Sequence, residues 1–163
     1  MKEIIEKIQF LKNKYPAWVK VYDPVNEDSI KQMEETLRFK INDELRKIYL
    51  YSDGLSFLDY CIPGVANKEI GQLIPPYLFA EHRLEFISTI CGKRFLLEPP
   101  VGNNSSVWFV EDDDTEVIVA RSMKDFFVKF LDKVDVLLVN FNPKRQSTAY
   151  FEDDTMPKSL SQW

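Results

Sequence analysis

The chain has 163 residues, 45% of them hydrophobic, with 12 Phe, 7 Tyr and 3 Trp. That content excludes a mostly disordered chain and suits one domain with a core of its own. With 21 basic and 26 acidic residues the net charge is −5, which argues against binding nucleic acid through its phosphates and suits a basic protein partner.

Along the chain, Glu3 to Lys14 places Ile4, Ile8 and Leu11 on one helical face, and Pro16 ends the helix. Trp18, Val19, Val21 and Tyr22 form an extended apolar connector, expected to pack across the domain edge. Asp23-Pro24 is a turn, and Asn26 or Asp28 can cap the next helix. Ile30, Met33 and Leu37 stripe that helix. A third begins at Asn42, a good N-cap followed by Asp43 and Glu44 where the helix dipole favours negative charge. Its stripe is Leu45, Ile48 and Tyr49, and Gly54 is expected to end it in the left-handed conformation.

After Gly54 the period changes. Leu55 to Ile62 reads as a strand closed by Pro63-Gly64. Ile70 to Phe79 reads as a second extended region, which Pro75-Pro76 confine to an edge or a loop. Glu85 to Ile90 and Lys93 to Leu97 read as short strands, and Pro99 to Ser106 as a loop. Val107 to Ala120 is a hairpin around an acidic turn at Asp112 to Thr115. Ser122 caps the last helix, with Asp125 at the capping-box position and Met123, Phe127, Phe130, Val134 and Leu138 on one side. Pro143 stops it, and Lys144 to Trp163 reads as a polar tail. The expected fold is α+β: a twisted antiparallel sheet flanked by N-terminal helices and a C-terminal helix, in a single domain of residues 1–143.

The order of these elements resembles the SUKH superfamily, which includes a fungal cell-wall regulator and many bacterial toxin-immunity proteins. The resemblance lies in the Ile30 to Leu37 helix, the second helix running to Asp53-Gly54, and the strand and serine-capped aromatic helix from Val117 to Val134. It covers roughly residues 24–134, with the helix at 3–14 as an extension. Asn42 departs from the proline common at that position, and the stretch from Tyr60 to Pro99 matches poorly, as a surface specific to one partner would. The resemblance implies a cytoplasmic bacterial protein that binds and occludes a cognate toxin. If that toxin is a nuclease, its cleft is basic. The alternative is a regulatory or scaffold module in cell-wall or signalling pathways.

The residues expected to meet the partner are Glu111, Asp112, Asp113, Asp114 and Glu116, for electrostatic steering, and Trp108, with Asp59 and Tyr60 as neighbours. The plain alternative for the acidic run is a solvated hairpin tip that blocks edge pairing. As a calcium loop it fails, because the sixth position from Asp112 is Val117 where glycine is required. Trp108 and Phe109 alternate faces, so one should point outward. Tyr60 and Cys61 pose the same choice.

No catalytic residue, metal site or cofactor is expected. His82 is the sole histidine and lies near no nucleophile elbow, and the loop with Gly102 lacks a phosphate cradle. Cys61 and Cys91 form no CxxC pair and read as free thiols. No signal-peptide core or bilayer-length apolar run is present, so the expected location is the cytoplasm.

Overall fold

Two asparagines start the helices that follow the N-terminal strand. Asn26 Oδ1 accepts the Ser29 amide at 2.8 Å and Asn42 Oδ1 accepts the Leu45 amide at 2.9 Å, so each satisfies an amide that its helix leaves without a partner. The computed structural model describes residues 1–67, 83–89, 92–101, 104–111 and 115–140. In chain order the described elements are α1 (Lys2–Lys14), β1 (Val19–Val21), α2 (Glu27–Leu37), α3 (Asp43–Tyr51), β2 (Leu55–Phe57), β3 (Tyr60–Ile62), β4 (Leu84–Ser88), β5 (Arg94–Leu97), β6 (Val107–Val110), β7 (Glu116–Ala120) and α4 (Met123–Asn140). The chain is α+β, as expected, with helices at both ends of an antiparallel sheet.

Among the described residues the sheet has the order β1-β2-β3-β4-β5-β6-β7, each strand antiparallel to its neighbour. α4 packs on one face of it. Phe126 meets Phe86 and Phe95 at ring centroid distances of 5.4 and 5.0 Å, and Phe130 meets Phe57 and Tyr60 at 5.8 and 5.7 Å. Such offset and edge-on pairs add to the burial of large apolar rings. α1 packs on α4 and β1, burying Ile4, Ile8 and Leu11. At its edge, Asp135 of α4 takes Lys7 at 3.3 Å, Lys14 at 3.1 Å and the Tyr15 hydroxyl at 3.3 Å.

Three expectations need correction. Leu55 to Ile62 is a hairpin of two strands, because Leu58 adopts φ 58° and turns the chain without a glycine. The extended connector at 18–22 holds a strand at the sheet's end, Val19–Val21, with Val19 opposite Phe57 and Val21 opposite Leu55. Gly54 has φ 92° but does not end α3: the helix stops at Tyr51, and Ser52, with extended backbone, returns its amide to the Ile48 carbonyl. The expected extended region at 70–79 and the tail from residue 144 lie outside the described residues.

Candidate interaction face

The turn after α3 sets the approach to the sheet. Ser52 Oγ accepts the Tyr22 amide at 2.9 Å and donates to the Gly54 carbonyl. The buried Asp53 carboxylate accepts the amides of Val65 and Ala66, the latter at 3.0 Å. A Cβ on Gly64 would come within 3.0 Å of Asp53 Oδ1 and 2.8 Å of Asn67 Cβ. The Asp53-Gly54 pair is therefore a fastening between two loops.

Strand register divides the side chains between two faces. Val19, Phe57, Tyr60, Phe95 and Phe109 share the face under α4. The opposite face carries two transverse rows. One runs Ser56, Cys61, Ser88, Arg94, Val110, Glu116, and the other Glu85, Leu96, Trp108, Ile118. Leu96 and Val110 are buried on this face too, so it opens toward β7, where the Glu116 side chain is 38% exposed and Ile118 36%.

Trp108 points to this opposite face and Phe109 to the core. The indole Nε1 donates to Glu98 Oε1 at 2.7 Å, and the Arg83 guanidinium lies 5.1 Å from the ring centroid. Arg83 continues across to β7, donating from Nη1 and Nη2 to the two oxygens of Glu116 at 2.8 and 2.9 Å. A forked pair over an aromatic face is a geometry that lysine cannot reproduce. Arg83 is only 7% exposed, and no described residue accepts a hydrogen bond from its Nε. Burial pushes the Glu85 carboxyl above its ordinary value, against the lowering effect of Arg94 and a hydrogen bond from Ser88.

Of the residues expected to meet a partner, Glu111 sits 3.9 Å from Lys93 and Glu116 is engaged by Arg83, so neither carboxylate is idle. Asp112, Asp113 and Asp114 lie outside the described residues, as do His82 and Cys91. Asp59, in the β2–β3 turn, is half-buried and shares an end of the sheet with the β6–β7 turn, three strands or about 14 Å away. Tyr60 departs from expectation. It is 7% exposed with its ring against Phe130, so it can support a partner surface only from beneath. Its neighbour Cys61 takes the other face, where burial raises its thiol pKa. The sequence reading missed Arg83 and Glu98, because an arginine before a strand and a glutamate before Pro99-Pro100 carry no local sign of sharing an indole.

Among the described residues no group of three His, Cys, Asp or Glu is placed to hold a metal ion, and no helix is long and apolar enough to cross a membrane. A cleft of about 640 Å³ beside α2 and α3 is lined by interleaved charges. Its Arg46 is already held by Glu34 at 2.6 Å and Glu27 at 2.8 Å, tying the two helices together.

The family model for SMI1/KNR4, also called SUKH-1, matches residues 24–129, well over half of the sequence. The chain belongs to the SMI1/KNR4 family. Members of this SUKH-1 family act as immunity or regulatory domains that bind proteins and are generally non-catalytic. A comparison with curated proteins returns no match.

Proposed function

We propose that this SUKH-1 chain is a bacterial immunity protein of the cytoplasm that neutralises a cognate toxin by binding it and covering its active cleft. The carrying observation is where the charge lies. Residues 83–120 hold three basic and seven acidic side chains, a net of −4 out of the −5 for the whole chain. They also form β4 to β7, whose face opposite α4 bears Trp108. A segment of that sign suits a basic cleft, as a nuclease toxin would have to hold phosphate. Asp112, Asp113 and Asp114 would steer the approach, while Trp108 would supply buried contact beside Glu111 and Glu116, with Asp59 farther along the same end of the sheet. No catalytic step, cofactor or direct contact with nucleic acid belongs to this reading.

The test is capture of partners from native lysate at low and moderate salt, followed by reversal of all three aspartates to lysine. The expected partner is one basic protein with a toxin-like domain, held less firmly as salt rises. The triple reversal should slow association about tenfold or more while leaving the melting temperature unchanged. Unchanged association would remove the acidic turn from the mechanism. Capture of cell-wall or signalling proteins would support a regulatory module, the second reading that family membership carries.

A further inference from the structure

Three side chains hold the Trp108 indole on the face opposite α4. Arg83 stands just before β4, Glu98 just after β5 and Glu116 at the start of β7, while Trp108 itself lies on β6 and is half-buried. The indole has a single N–H, and Glu98 Oε1 takes it at 2.7 Å. Its ring is met by the Arg83 guanidinium, 5.1 Å from the centroid. A bond in the plane of the ring and a cation against its π-system fix the orientation from two directions.

The guanidinium is held in turn. Nη1 and Nη2 each donate to one oxygen of Glu116, at 2.8 and 2.9 Å, and the arginine side chain is 8% exposed against 38% for the glutamate. A guanidinium so buried is costly without a paired carboxylate. Glu116 is therefore the counterion that keeps Arg83 in place, with both oxygens engaged in the fork. Glu111 is bound more loosely, 3.9 Å from Lys93.

We infer that Arg83 is a positioning residue for Trp108, and that Arg83 and Glu116 together present the indole to the partner as a preformed apolar anchor. This rests on the toxin-binding reading above and divides its acidic residues by task. Asp112, Asp113 and Asp114 act on the encounter, whereas Glu116 acts through Arg83 on how long the complex lasts. The indole has already given its N–H to Glu98 and met one cation in Arg83. A second cation gains little there, so the partner group that meets the ring is apolar.

The measurement is the Trp108 indole N–H signal in the full-length isotope-labelled protein, identified by its loss in Trp108→Phe. Arg83→Lys keeps the charge and loses the fork. Its indole signal should shift, and its hydrogen exchange should quicken about tenfold, the loss of one hydrogen bond, while the Trp18 indole stays as in the parent. Glu116→Gln loses the charge and keeps an acceptor for one guanidinium N–H, so it should hold the indole near its parent position, and Glu116→Ala should release it. That pair decides the matter even if Arg83→Lys does not fold. An unmoved indole in Glu116→Ala would overturn the proposal. So would an indole whose exchange quickens only as much as every strand amide of the sheet, because Arg83 would then support the fold alone. With the basic protein captured from lysate, Arg83→Lys should speed dissociation about tenfold and leave association unchanged. Unchanged dissociation with a loosened indole would overturn the anchor role and leave toxin binding standing. If no such protein is captured, the toxin-binding reading fails while the indole signal still decides whether Arg83 positions Trp108.

Discussion

Asp53 shows how one side chain can serve two loops. Its carboxylate is the acceptor for the Val65 and Ala66 amides, and its own amide donates to the Asp23 carbonyl at 3.1 Å. Asp53→Ala leaves two amides at this fastening without an acceptor, which should cost about 2–4 kcal/mol in urea denaturation. Gly64→Ala should cost about 1–3 kcal/mol by crowding the same carboxylate. Two other acids respond to pH with opposite sign. Burial alone would raise the Asp135 carboxyl, but hydrogen bonds from Lys14 and Lys7 outweigh it and hold the pKa below its ordinary value. Its contribution is therefore present above the unfolded value and lost as pH falls through the lowered folded one. Glu85 is raised by burial, so its contribution is full below its unfolded value and is lost as pH rises through the folded one. In pH-resolved melting, Glu85→Gln should exceed the parent in stability at neutral pH, with the gap closing toward pH 4. A gap that widens on acidification would contradict the assigned direction.

At the scale of elements, α4 carries both a core face and a solvent face within one helix. Phe130 is fully buried and lies 5.8 Å from Phe57, 6.0 Å from Phe95 and 5.3 Å from Phe126. Phe130→Ala should cost about 3–5 kcal/mol, since the cavity opens among aromatic rings that cannot all close over it. Val139, 63% exposed on the same helix, should tolerate alanine within about 0.5 kcal/mol. Equilibrium unfolding of the two variants checks the contrast. The helices and their starts were legible in the sequence because caps and apolar stripes are short-range signals. Asn42 and Ser122 act as expected, with Ser122 Oγ accepting the Asp125 amide at 3.1 Å. The β2–β3 hairpin was not legible. Its turn is Leu58-Asp59, and nothing in a leucine announces a positive φ.

The whole molecule is larger than the family-matched segment. α1 lies before residue 24, and Phe130, Leu131, Val134, Leu137 and Leu138 lie after residue 129, yet all belong to one core with the sheet. A fragment of residues 24–129 loses α1, β1 and the part of α4 after residue 129, and should show no cooperative melting by circular dichroism, where the full chain does. A sharp melt of the fragment would mean that α1 is an accessory to a self-sufficient core. The same long-range closure explains the candidate face. Arg83 and Glu116 stand 33 positions apart, and Lys14 and Asp135 stand 121 apart, beyond the reach of any periodic pattern.

The sequence by itself determined the α+β class, the helix starts with their caps, the β6–β7 hairpin and the buried stripe of α4. Each depends on residues within about two helical turns or one strand of each other. The tertiary structure alone decided that Trp108 turns away from α4 while Tyr60 turns beneath it, because strand register assigns a face only once the neighbouring strand is in place. It also decided that Glu116 is held by Arg83 and that, among the described residues, β1 and β7 are the two ends of the sheet. Those outcomes follow from which distant residues the folded sheet brings side by side.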